Sequence, residues 1–174
     1  NNDSGYNSTG FIELFVSGKD LNAYGVDVPG NSQDVLTAGQ TFTVHIELSN
    51  SGNVLAENII GEITSASSAI EIIDNYGSWS AVYPDAISST SSSGNAFVIS
   101  AAEDVIPGTV AHLILNVETS DGYSNSSVVP IQIGTPTVTD PSGPDSYGYY
   151  IYDSGDMEYL LAPVYDWVEI DSRY

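Results

Sequence analysis

Carboxylates are the one chemically capable group this chain holds in quantity. Its 174 residues include 23 Asp and Glu against 2 basic residues, Lys19 and Arg173, for a net charge of −21. The densest group is Asp153-Ser154-Gly155-Asp156-Met157-Glu158, three carboxylates in a short turn around a glycine, with Asp145 upstream. Calcium takes about six to eight hard oxygens, and a tight glycine-containing loop can gather them. Asp145, Asp153, Asp156 and Glu158 are therefore candidate ligands for a structural calcium ion, the alternative being a solvated acidic turn. The spacing is not that of an EF-hand. Asp20, Asp27 and Asp34 form a looser second candidate. Self-repulsion at −21 also favours bound divalent ions in general.

Other chemistries find less material. There is no cysteine, hence no disulfide, thiolate nucleophile or thiolate metal site. The two histidines, His45 and His112, sit in strand patterns on the side opposite the apolar residues, where a catalytic triad would need a nucleophile and an orienting acid in contact. A Gly-x-Ser-x-Gly elbow is missing. A glycosidase needs only two carboxylates, but acids in the loops of so acidic a chain serve more readily as solvated charge or calcium ligands. The expectation is a protein that is not an enzyme.

Two fixed cations cannot build a patch for nucleic acid or an anionic membrane. No run of apolar residues is long enough to span a bilayer as a helix. Charged residues make up only 14 % of a chain rich in Ser, Thr, Asn and Gly, which predicts an extracellular or cell-surface location. With no initiator Met and no basic-then-apolar leader, the chain reads as processed or as a piece of a longer one. Asn2-Asp3-Ser4, Asn7-Ser8-Thr9 and Asn125-Ser126-Ser127 match the glycosylation triplet, which arises often by chance in an Asn/Ser-rich chain.

The elements that must position these groups read as strands. Phe42, Val44, Ile46 and Leu48 alternate strictly with Thr41, Thr43, His45 and Glu47, a period of two with one face buried. Further strands are predicted at 11–16, 55–63, 69–73, 96–101, 109–117 and 128–133, separated by turn clusters at 74–77, 88–94, 107–108 and 120–127. Residues 17–40 read as a long loop with weak strands. Seven or more short strands without a helical stripe predict an all-β, immunoglobulin-like antiparallel β-sandwich over residues 11–134, after a polar lead-in at 1–10.

A Pro/Gly-rich connector at 135–145 follows, then an acidic aromatic tail at 146–174 with seven of the 12 tyrosines and Trp167. So short a segment cannot bury that aromatic surface alone. It is expected to dock on the sandwich, on a partner or on a following domain, with Tyr149, Tyr152 and Trp167 as its candidate contacts. In the body, Tyr76, Trp79 and Tyr83 either stack on sugar rings or cover one end of the core.

The segment from Asn31 through Ala38-Gly39-Gln40, the alternating strand, Asn50-Ser51-Gly52 and Ala56-Glu57-Asn58 resembles the Ig-like, CARDB-type repeats of large secreted bacterial proteins, including gingipain-like and subtilisin-like peptidases. Ala38 and Gln40 depart from the Pro and Glu of that pattern, so a role for that acid does not carry over. The stretch from Gly143-Pro144-Asp145 to Tyr152-Asp153, continuing to Ala162-Pro163-Val164-Tyr165-Asp166-Trp167, resembles the joint that follows such modules. The resemblance implies a non-catalytic spacer, stabiliser or adhesive unit whose partners are neighbouring domains. Two other readings remain open: a subunit that assembles with copies of itself into a filament or surface layer by strand addition, and a carbohydrate-binding module for a polysaccharide.

Overall fold

The computed structural model describes residues 16–90, 95–159, 161, 162 and 164. Among them lie nine strands: β1 (Leu21–Asp27), β2 (Thr41–Asn50), β3 (Ala56–Ser65), β4 (Ile70–Asp74), β5 (Tyr76–Val82), β6 (Ile87–Ser89), β7 (Phe97–Ala101), β8 (Thr109–Thr119) and β9 (Ser124–Ile133). One sheet runs β1-β2-β7-β4, with β6 pairing the other half of the edge of β2 that β7 uses; the second runs β5-β3-β8-β9. Every pairing between these strands is antiparallel. The two layers face each other across one apolar core from Leu21 to Ile133, an immunoglobulin-like sandwich.

Alternation explains the strands that the sequence announces. In β2, Val44, Ile46 and Leu48 are buried, and in β8 so are Ala111, Leu113, Leu115 and Val117. Three elements differ from expectation. Strand β6 (Ile87–Ser89) reaches into the turn cluster predicted at 88–94. Residues 74–77 hold only a one-residue break, Asn75, between β4 and a further strand, β5, whose first inward positions are Gly77 and Trp79 rather than aliphatic residues and whose buried Val82 falls off the period of two. Strand β9 begins at Ser124 instead of Val128, because its polar first half faces β1 and the solvent rather than the core. The predicted first strand, 11–16, lies outside the described residues except for Val16, which is in no strand.

Trp79 sets the centre of the core. It is only 1 % exposed, and its indole Nε1–H donates to the Ile46 carbonyl at 3.0 Å, so its one polar group is satisfied inside. Its ring lies 6.1 Å from that of Phe97, tilted by 51°. A Cβ on Gly61 would sit 2.7 Å from Trp79 Cζ3, and one on Gly77 would overlap the Phe97 ring, so both strands need glycine there.

The Asn-x-Gly motif closes one end of the sandwich. Buried Asn50 accepts from the N–H of Asp20 (3.2 Å) and Gly52 (3.0 Å) through Oδ1, and donates to the carbonyls of Val54 (2.8 Å) and Val82 (3.1 Å) through Nδ2. That exhausts its amide and ties the start of β1, the β2–β3 turn and the end of β5 to one side chain. A Cβ on Gly52 would overlap the Gly18 carbonyl oxygen, so the turn closes only on glycine.

Side chains from Tyr123, just before β9, and from β9 itself close the seam beside β1. The N–H groups of Leu21 and Ala23 donate to Tyr123 Oη (2.9 Å) and Ser127 Oγ (3.2 Å), and Asn125 Nδ2 donates to the Leu21 carbonyl (2.7 Å). Farther along, Leu36 bridges to β9, its N–H donating to Gln132 O and its carbonyl accepting from Gly134 N–H, both at 2.8 Å. By strand alternation Pro130 shares that outer edge, so its missing N–H removes no bond from the β8–β9 ladder.

Candidate functional site

The tail begins with a knot of polar contacts. Asp140 Oδ2 accepts from Thr137 N–H at 2.6 Å and from the Thr137 hydroxyl at 2.9 Å, while Tyr159 donates its hydroxyl to Asp140 Oδ1. Those hydrogen bonds, that of Tyr159 first, hold the Asp140 carboxyl below the usual carboxylate range. The same bond stabilises the protonated phenol, and with desolvation it pushes Tyr159 up to about 12.

Between these anchors the chain makes a small hairpin. Ser142 and Ile151 exchange both backbone hydrogen bonds, at 3.0 and 2.8 Å. Asp145 turns the loop, its Oδ1 accepting from the N–H of both Tyr147 and Tyr149 at 2.9 Å. The hairpin touches the body through Tyr150, 2.6 Å from Thr109 Oγ1. Since the Thr109 hydroxyl donates to Ile106 O at 2.7 Å, Tyr150 is the donor in that pair. Tyr150 and Leu161 line a cavity of about 270 Å³ against Ala69, Val105 and Ile106.

The opposite face has no cover among the described residues. Tyr147, Tyr149 and Ile151, at alternate positions, are 84 %, 72 % and 74 % exposed. Tyr152 is half-buried, and burial first, then the nearby Tyr150 and Asp156, raises its phenol. Trp167 lies outside the described residues.

The four acids proposed as calcium ligands are not brought together. Asp145 serves the hairpin turn. Asp153 Oδ1 accepts from Gly155 N–H (2.6 Å), and buried Asp156 turns Oδ2 back to Asp153 N–H (2.7 Å), while Glu158 is exposed. Among the described residues no group of three Asp, Glu or His lies close enough to hold a metal ion. Asp20, Asp27 and Asp34 fare no better: Asp20 Oδ1 accepts from Asn22 Nδ2 at 2.8 Å, and Asp34 Oδ1 from Val28 N–H at 3.1 Å. Short Asp side chains beside free N–H groups satisfy their own turns first.

The aromatic candidates of the body also separate. Trp79, enclosed in the core, offers no ring face to a sugar, which corrects the stacking role considered for it. Tyr76 and Tyr83 keep exposed rings without it. His45 Nδ1 lies 3.1 Å from Oγ1 of the fully buried Thr90, which also accepts the Ile46 N–H at 3.3 Å, a contact that seals the edge of β2. His112 stands on the exposed face of β8 opposite Pro130. Lys19 pairs with Asp121, whose carboxyl is held down to about 2 by that hydrogen bond first and by Thr119 second. Sequence reasoning missed Asp140, Tyr150 and Thr109 as the contacts that seat the tail; the Thr-x-x-Asp spacing at 137–140 was the available signal.

No protein-family profile matches the chain, and no curated protein matches it. Similar solved structures include the CARDB domain of a Pyrococcus furiosus protein, solved with di-metal ions, at 12 % identity and TM-score 0.37, covering 72 % of this chain and 99 % of that one. An uncharacterised Nocardia farcinica protein with an immunoglobulin-like fold is similar at 9 % identity and TM-score 0.38, covering 66 % and 99 %. Archaellum periplasmic stator proteins of Sulfolobus acidocaldarius are similar at 13 % identity and TM-score 0.30, covering 72 % and 98 %. The immunoglobulin-like class follows from the strand pairing itself. None of these three is a gingipain-like or subtilisin-like peptidase.

Proposed function

We propose that this chain is a non-catalytic accessory module of a larger secreted or cell-surface protein, in which a stiff sandwich positions neighbouring parts and the tail docks against one of them. One observation carries this reading. The body completes its core between Leu21 and Ile133 without the tail, while the tail holds Tyr147, Tyr149 and Ile151 outward. Aromatic rings with polar rims are the side chains that interfaces favour as anchors. The uncharged polar surface and the excess of acid suit an extracellular setting, and the catalytic groups of such a protein would lie elsewhere in it.

Tyrosine nitration followed by peptide mapping tests the reading. Tyr147 and Tyr149 should react readily in the isolated chain and be protected in the assembled extracellular protein. Equal reactivity in both would reject a docking role for the tail.

A further inference from the structure

The chain enters and leaves the sandwich at opposite poles. It comes in beside the β2–β3 turn, where Asn53 holds it on three bonds: Oδ1 accepts the Gly18 N–H (2.9 Å), Nδ2 donates to the Val16 carbonyl (3.0 Å), and its N–H donates to the Gly18 carbonyl (3.0 Å). Lys19, one of two basic residues in the sequence, pairs at the same pole with Asp121 of the β8–β9 turn, its side chain only 9 % exposed. Strand β9 ends at the other pole, where Ile133 pairs with Thr109 and Gly134 leads into the connector. Between the poles β1 and β9, members of different sheets, run side by side and parallel. Leu21 meets Tyr123 and Asn125, Ala23 meets Ser127, and Leu36, farther along the same chain, makes a parallel bridge to Ile133.

From this placement we infer that the sandwich is a tension-bearing link, in which a pull between its two poles is carried in shear by the β1–β9 seam. The inference rests on the reading of the chain as a module between neighbouring parts, which supplies the load. A pull on the entry draws β1 toward one pole while a pull on the connector draws β9 toward the other, so the two strands must slide past each other. The hydrogen bonds of Leu21, Ala23 and Leu36 across the seam share that load, and none opens until several open together. The antiparallel ladders of β1 with β2 and of β9 with β8 add to it, because their bonds lie perpendicular to the strands and are sheared together. A single such bond contributes only about 0.5–1.5 kcal/mol, so resistance comes from simultaneous loading. A pull on both strands of the β8–β9 hairpin at one pole is the opposite case, since it opens the ladder one pair at a time.

Single-molecule pulling on the full chain tests this, since forced unfolding reads the unfolding barrier. The chain has no cysteine, so paired cysteines at exposed positions give unique handles. With Ser17→Cys/Thr135→Cys, handles at opposite poles, the body should rupture in one step of roughly 35–40 nm. The force should be at least twice that needed with Asp104→Cys/Thr135→Cys, which opens the β8–β9 hairpin from one pole in a much shorter step. Adding Tyr123→Phe/Ser127→Ala, which removes two bonds of the seam, should lower the pole-to-pole force and leave the one-pole force unchanged. Equal forces in the two directions would overturn the proposal, and so would a pole-to-pole force that the seam variant leaves intact. Neither result bears on the protection of Tyr147 and Tyr149, so a seam that carries no load and a tail that does not dock are told apart.

Discussion

Gly61 and Gly77 face each other across the β3–β5 ladder, and the space their missing side chains leave is filled by Trp79 and Phe97. Two backbones thus approach two large rings more closely than any Cβ would allow, and the Trp79 indole reaches the Ile46 carbonyl in the opposite sheet through that gap.

Gly61→Ala and Gly77→Ala should each destabilise the fold by about 1–3 kcal/mol, the usual range for overpacking a filled core. Gly77→Ala should be the worse, since its methyl meets the Phe97 ring head on. Urea unfolding followed by Trp fluorescence measures both. Glycine contributes conformational entropy to the unfolded chain, so a gain in stability at either position would show that the rings have room to spare.

Trp79→Phe should cost about 2–4 kcal/mol, combining a cavity with a buried carbonyl left unpaired at Ile46. A loss below about 0.5 kcal/mol, within the range of ordinary surface substitutions, would mean that the ring is not central to the core.

Asn50→Asp should be severe, about 3 kcal/mol or more, because it removes both donors to Val54 and Val82 and buries a charge. Asn50→Ala should be milder, leaving groups unpaired but no charge. Equal melting temperatures for the parent and Asn50→Asp would contradict the satisfied-amide account.

Two linked titrations should bracket the neutral range. Asp121 has its carboxyl held down to about 2 from 3.8 by Lys19 and Thr119, so the folded state binds the proton less readily than the unfolded one. Its contribution is present above pH 3.8 and is lost as pH falls toward 2, and, lying at the surface, it is small and screened by salt. Tyr159 has its phenol raised to about 12 from 10.0, so its contribution is present below pH 10.0 and is lost as pH rises toward 12. Ultraviolet titration should find Tyr159 titrating late, with Tyr152 also raised, and Asp140→Asn should return Tyr159 toward its ordinary value. A titration curve identical in the parent and Asp140→Asn would remove the Asp140–Tyr159 contact from the account.

Much of this architecture is legible in the chain because burial writes a period of two. Phe42 to Leu48 and Ala111 to Val117 declare both their strand type and their buried face. The signal fails where a strand's inward positions are not aliphatic: β5 hides behind Asn75-Tyr76-Gly77, since Gly77 reads as a turn until Phe97 is known to need its space. The candidate site is less legible for a related reason. A local run of Asp residues looks the same whether its oxygens converge on a cation or fold back on their own N–H groups, and here Asp145, Asp153 and Asp156 fold back. Trp79 shows the same ambiguity for rings, because local sequence does not say which side of the sheet receives them.

The decisive measurement is calorimetry before and after cleavage within the connector at 135–145. The body loses the Tyr150–Thr109 hydrogen bond and the apolar packing of Tyr150 and Leu161 beside Ala69, Val105 and Ile106, about 1–3 kcal/mol together, while its own core stays whole, so it should retain a single cooperative transition lowered by no more than about 10 degrees. Collapse of that transition on cleavage would contradict a self-sufficient sandwich carrying a tail meant for something else.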